Sequence, residues 1–194
     1  MKLGHRISVV GSTGSGKTTT GKRLANILGV PFVELDALQW EANWTVAQDD
    51  IFRERIESAI SGDRWVIDGN YSRMQPIVWR RADTVVWIDY SLQTIFRQLL
   101  RRTLRRLITQ EELWAGNTEG WRIAFASKDS LFVWLFTTYW RRRRRYAKAS
   151  VSPEYSHIEF FRLTSPSKTL EWLNGLECDS RSAPAAATAK RCYS

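Results

Sequence analysis

The stretch His5-Arg6-Ile7-Ser8-Val9-Val10-Gly11-Ser12-Thr13-Gly14-Ser15-Gly16-Lys17-Thr18 decides how the rest of the chain is read. His5 to Val10 is a short β-branched run that predicts a strand ending at Gly11. Gly11 to Thr18 fits the phosphate-loop pattern G-x-x-x-x-G-K-[ST]. Lys17 to Leu28 then predicts a helix, stopped by Gly29 and Pro31. Each part has a physical task. The glycines let successive N–H groups of Gly11, Ser12, Thr13, Gly14, Ser15 and Gly16 turn inward and form a nest for anionic oxygens. The helix that begins near Lys17 and runs on through Thr19 aims its positive end at the same place. Lys17 would reach the β and γ phosphates of ATP, and the Thr18 hydroxyl would ligate Mg²⁺. A chance match in a Gly/Ser-rich linker would lack the strand before it and the helix after it.

Outward from this loop the chain alternates. Phe32 to Leu35 predicts a second strand, and Asp36 to Trp44 reads as irregular. Thr45 to Ile60 predicts a helix with Ile51, Phe52, Ile56, Ala59 and Ile60 at helical spacing, and with Thr45 and Gln48 placed for a capping box. Trp65 to Ile67 and Val85 to Ile88 predict strands that close in Asp68-Gly69-Asn70 and Asp89. Ser91 to Ile108 and Asp129 to Lys148 predict two long helices around a mobile insert, Gln110 to Ser127. Ile158 to Leu163 predicts a fifth strand and Ser167 to Leu173 a last helix. Strands alternating with helices argue for an α/β fold with a parallel sheet covered on both faces.

The composition excludes other classes. With 194 residues the chain fits one domain of ordinary size. The two cysteines, Cys178 and Cys192, lie near the C-terminus, so no disulfide framework organises the core. Only His5 and His157 are available to a histidine metal centre. No apolar run approaches the roughly 18 residues of a membrane span, and no secretory signal is visible. Together these features set the expectation of a cytoplasmic protein. The net charge is +9, and residues 97–148 carry 13 basic and 4 acidic side chains, so the whole excess sits in that stretch. Localised positive charge implies a localised anionic partner: nucleotide phosphates, a nucleic acid backbone or a membrane surface.

Three carboxylates compete for roles. Asp68 ends a buried-looking strand and would help hold Mg²⁺, which prefers oxygen ligands. Asp89 also ends a strand and is the competing metal residue. Asp36 follows the second strand directly, where a carboxylate can deprotonate an acceptor hydroxyl. Trp40 and Trp44 stand close by and can stack on a ring, although with ten tryptophans in the chain packing explains most of them. Among the arginines of 97–106, Arg101 and Arg105 are expected to clamp the phosphoryl group in flight. Of the run Arg141 to Arg145, at most two can share a face with the site. Leu131 to Phe136 is apolar all round and reads as a buried helix, with a partner subunit as one surface for it to pack on, rather than as a segment on a membrane surface.

Four segments, in order, resemble the adenylate-kinase-like P-loop proteins of the DNA topology modulation protein family. They are Gly11 to Thr18, Leu35-Asp36-Ala37-Leu38-Gln39-Trp40, Trp65-Val66-Ile67-Asp68-Gly69-Asn70-Tyr71-Ser72-Arg73, and Arg81 to Asp89. The resemblance runs from about residue 5 to about 173. It implies a three-layer α/β/α P-loop NTPase fold of the nucleoside monophosphate kinase kind, with a parallel five-stranded sheet and a helical lid insert. Residues 1–176 would form that domain, with lid and arms over about 91–148, and 177–194 would be a disordered tail. Arg73 would contact the acceptor phosphate. Closure of 110–128 over ATP and acceptor is expected as well.

The reading is a phosphotransferase that moves the γ-phosphate of ATP, with Mg²⁺, to a small acceptor. That acceptor is a nucleoside monophosphate or a hydroxyl-bearing metabolite. The rival is a nucleotide-dependent, DNA-binding regulator that uses the basic stretch 97–148. A GTPase is disfavoured, since no N/T-K-x-D segment appears.

Overall fold

The computed structural model describes residues 3–109, 113–116 and 130–182. Strand β1 (Arg6–Gly11) leads through the glycine loop into α1 (Lys17–Leu28), as the motif requires. Then come β2 (Phe32–Glu34), the short helix α2 (Leu35–Gln39), and a small hairpin of β3 (Trp40–Glu41) and β4 (Thr45–Val46). Next are α3 (Asp49–Ala59), β5 (Trp65–Asp68), α4 (Gln75–Arg81) and β6 (Thr84–Ile88). The chain continues with α5 (Leu92–Thr109), α6 (Leu131–Ala149), β7 (Glu159–Leu163) and α7 (Pro166–Ser182).

Five strands make one parallel sheet in the order β2-β5-β1-β6-β7. Every residue of β5 and β6 is buried, the mark of strands covered on both faces. Successive side chains point to opposite faces. Trp65, Ile67, Val85 and Trp87 therefore join one core with Phe52, Ile56, Val78 and Trp79 from α3 and α4. Val66, Val86 and Ile88 join the other with Leu24, Ile95, Leu99 and Leu173 from α1, α5 and α7. Helix α6 belongs to both cores. Its Leu135 and Tyr139 pack on the second, and its Tyr146 and Ala149 on the first. It therefore runs across the carboxyl ends of the strands, where open α/β sheets place their sites.

Several expectations are corrected. Asp36 to Trp44 is ordered into α2 and the hairpin. Thr45 pairs with Glu41 in that hairpin, so it cannot cap a helix; α3 starts at Asp49 and gains Asp49 and Asp50 against its positive end. Helix α4 was not expected. Helix α7 continues to Ser182, past the expected end at Leu173 and into the stretch read as a disordered tail. Residues 183–194 lie outside the described residues, as do 110–112 and 117–129 of the expected lid. The apolar run of α6 is not buried throughout, since Val133, Trp134 and Phe136 are 45–51% exposed. No helix among the described residues is long and apolar enough to cross a membrane.

Candidate active site

The loop between β1 and α1 opens into a cleft of about 1890 Å³. Gly14 (φ 76°) and Gly16 (φ 90°) take left-handed angles that a side chain would strain. A Cβ on Gly14 would also come within 2.9 Å of the Leu99 Cβ on α5. The Ser15 hydroxyl is buried with no hydrogen-bond partner among the described residues. The Lys17 ammonium donates to the Ser12 carbonyl at 3.1 Å, folding the side chain back over the loop. Burial pulls its pKa down to about 8, against the opposing pull of Asp68 and Asp36. It therefore remains mostly charged at neutral pH.

At the first turn of α1 the Thr18 hydroxyl donates to Asp68 at 2.6 Å. Asp68 is 3% exposed, and burial raises its carboxyl to about 7 although Lys17 opposes the rise. The sheet register sets Glu34 beside Asp68, and the Glu34 carboxylate lies 3.4 Å from the Thr18 hydroxyl. Glu34 was missed in the sequence; its signal was an acidic residue ending the second strand. Asp89, the competing metal residue, is elsewhere engaged. Its carboxylate pairs with Arg143 at 3.0 Å and with Arg162 at 2.5 Å.

Asp36 and Arg73 line the same cleft. Asp36 accepts from the Tyr71 hydroxyl at 2.6 Å. Burial, with the Asp36 charge adding to it, raises the Tyr71 pKa, so the hydroxyl stays a donor at any working pH. Arg73 pairs with Asp49 at 2.8 Å, and its other guanidinium nitrogen reaches Gln39 at 3.4 Å. Trp40 and Trp44 meet edge to face with centroids 5.4 Å apart, and both line the cleft with Trp114. The turn at Trp114–Gly116 packs on β3 and on the hairpin turn. Asn43, Trp44 and Ala115 are the non-glycine residues with positive φ among those described, and all sit where these two segments meet. Such strain gathers where surroundings over-determine a geometry.

More arginines face the cleft than expected. Arg101 and Arg105 do line the cleft, and so do Arg102 and Arg106. Those whose charge is felt at Lys17 are Arg142 and Arg102. Three members of the 141–145 run face the cleft, Arg141, Arg142 and Arg145, which exceeds the two expected. The spacing i, i+1, i+4 explains this, because it keeps all three on one side of α6.

With this geometry in hand, comparison with known proteins is specific. The shikimate kinase family model matches residues 13–60, which hold most of the loop, α1, β2, α2 and α3. A shikimate kinase of Sulfurihydrogenibium sp. (strain YO3AOP1) is 30% identical over 121 residues, 54% of this chain and 72% of that protein. The chain belongs to the shikimate kinase family. Another relative, the chloroplastic shikimate kinase 3 of Oryza sativa subsp. japonica, is 26% identical over 188 residues; it aligns with 88% of this chain, which spans 64% of its length. Among solved structures, a gluconokinase from Sinorhizobium meliloti 1021 superposes with a TM-score of 0.52 at 15% identity, covering 93% of this chain and 94% of that one. A shikimate kinase from Bacteroides thetaiotaomicron gives 0.51 at 17% identity, covering 91% and 98%. These two likenesses establish the fold of this shikimate kinase family member. The relatives named here are kinases of small molecules; the expected DNA topology modulation family is not among them.

Proposed function

We propose that this protein transfers the γ-phosphate of ATP to a hydroxyl group of a small metabolite of the shikimate class. Loop N–H groups and Lys17 hold the β and γ phosphates. The buried Ser15 hydroxyl and the oxygen set of Thr18, Asp68 and Glu34 fit a nucleotide with Mg²⁺, which would be held by Thr18 and Asp68. When bound, that ion neutralises phosphate charge. Asp36 accepts the proton of the acceptor hydroxyl as the new O–P bond forms and the bond from the γ-phosphorus to the bridging oxygen of ADP breaks. Tyr71 holds the Asp36 carboxylate in place. Trp40, Trp44 and Trp114 offer a stacking wall to a ring, and Arg73, Arg101 and Arg105 offer positive charge to phosphate or to an acidic group on the acceptor.

The observation that carries this reading is the place of Asp36, a carboxylate in the cleft of the phosphate loop. It repels the anionic oxygen of a nucleoside monophosphate and suits a neutral hydroxyl. Seven arginines of the basic stretch, on α5 and α6, line the cleft itself, which favours a small anionic ligand over a nucleic acid backbone. The resemblance to DNA topology modulation proteins rests on sequence segments alone. The test is a phosphoryl-acceptor screen with ATP against shikimate, gluconate and nucleoside monophosphates, with ATP hydrolysis as the blank. Turnover with a hydroxyl acceptor is expected. Turnover confined to nucleoside monophosphates, or ATP-dependent binding of duplex DNA without any acceptor, would overturn the proposal.

A further inference from the structure

Behind the phosphate loop lies a polar bridge that the chemistry above leaves unused. Asn70 follows β5 by two residues and sits against the end of β1. Its Oδ1 accepts from the Gly11 N–H at 3.3 Å, and its Nδ2 donates to the Gly11 carbonyl. One side chain thus holds both main-chain groups of the first loop glycine. The same Oδ1 accepts from the Tyr146 hydroxyl at 2.9 Å. Tyr146 is 1% exposed and packs beside Trp79 and Trp87, with ring centroids 6.2 and 6.0 Å away. Its hydroxyl accepts in turn from Arg145 Nη2 at 3.3 Å. Arg145 lines the cleft.

The chain of contacts runs from the cleft, through α6, to the root of the loop. A phenylalanine at position 146 would pack in the same space and leave no hydroxyl to satisfy. The hydroxyl's evident use is therefore the link it makes. On the β5 side the ladder ends at Val9 with Asp68, so Gly11 needs another partner there, and Asn70 is the side chain that supplies one.

We propose that Asn70 and Tyr146 are positioning residues that tie the phosphate loop to the arginine-bearing arm α6. The terminal phosphate of the nucleotide, drawn to Arg145, then tightens the loop on the rest of the nucleotide. By linkage, a filled loop also places Arg145. This rests on the nucleotide site proposed above.

The test titrates the full chain calorimetrically with Mg-ADP and with a non-hydrolysable Mg-ATP analogue, which differ in the terminal phosphoryl group. The wild type is expected to prefer the ATP analogue. Asn70→Ala should weaken ADP by about tenfold, the scale of a lost hydrogen bond in a buried network, and the ATP analogue several-fold further because the bridge is cut at its loop end. Tyr146→Phe should leave ADP affinity within about twofold and cut the preference for the ATP analogue several-fold, and Arg145→Gln should reproduce that pattern. A double-mutant cycle between Arg145→Gln and Asn70→Ala reads the same coupling without touching Tyr146. If Tyr146→Phe weakens both ligands alike, or neither, or if the cycle is additive, the bridge is overturned while the nucleotide site stands. If the wild type binds neither ligand, the phosphotransferase reading fails and takes the bridge with it.

Discussion

The phosphate-loop end of the cleft is held mainly by backbone, whereas the acceptor end is held by side chains that reach across the fold. At the loop, left-handed Gly14 and Gly16, the start of α1 and the register of β1 with β5 and β6 leave little freedom. At the acceptor end, a seven-residue span of α2 and β3 is pinned by Tyr71 on Asp36, Arg73 on Gln39, and Arg55 on Leu38 and Glu41. A backbone solution needs particular residues at fixed spacing, so it leaves a motif. A side-chain solution can be reached from many sequences, and it lets the acceptor change while the nucleotide stays.

The sharpest way to break this comparison is at Lys17. Lys17→Ala should cut phosphoryl transfer by at least about 10³-fold, the upper end for removing one charged stabiliser of the transition state. It should also abolish the ATP-dependent rise in melting temperature while the ligand-free melt changes little. A retained ATP shift with retained turnover would remove the loop from the mechanism. Next in size is Asp36→Asn. Turnover on the true hydroxyl acceptor should fall by about 10²–10⁴-fold with ATP affinity unchanged. If ATP affinity fell as well, the two ends of the cleft would not be separable.

Asp68 and Asp89 sharpen the comparison through stability. Folding raises the Asp68 carboxyl from 3.8 to about 7. The folded chain thus keeps a proton that the unfolded chain releases, and stability should fall as pH rises from about 4 to about 7. Asp68→Asn should flatten that decline, by at most about 4 kcal/mol at ~1.4 kcal/mol per pH unit. It should also raise the Mg²⁺ concentration needed for activity. Melts of ligand-free protein across pH 4 to 8 check the first effect, and a Mg²⁺ titration checks the second. Asp89→Asn should lower the melt instead, since Arg143 and Arg162 lose their shared partner. These arginine side chains are 38% and 49% exposed, so the cost falls to about 1–2 kcal/mol from the ~3–5 of a fully buried pair. The reverse ranking in the Mg²⁺ titration would move the metal role to Asp89.

The smallest effect belongs to Tyr71→Phe. Losing one hydrogen bond to the Asp36 carboxylate should lower kcat by about tenfold and leave the KM for ATP alone. An unchanged kcat would mean that Asp36 needs no holding.

The same contrast explains what could be read from the chain. The five parallel strands stand out as short apolar runs and the long helices as patterns of period 3.6, and they were legible together with the loop, Asp68 and Asp36. Helix α4 spans seven residues and has Pro76 near its start, too short a run for a helical period to show. The hairpin has two residues in each strand, and Thr45 reads as a cap until its pairing with Glu41 is seen. Glu34 gains meaning only through its register with Asp68. The helical spacing of the arginines shows which of them share a face, but which are felt at Lys17 depends on how α5 and α6 lean on the sheet. That lean places Arg102 and Arg142 within its reach.

The strand order has a consequence for how the chain is made. β6 can close against β1 once Ile88 has left the ribosome, but its other edge waits for β7. Seventy-five residues separate Ile88 from Leu163, so at ~5–20 residues per second that edge stands uncovered for roughly 4–15 s on the ribosome. During that interval Val85, Val86 and Trp87 offer an unpaired, apolar backbone row, a template for a second nascent chain. Among the described residues β7 is the last strand to emerge, and its arrival covers that edge.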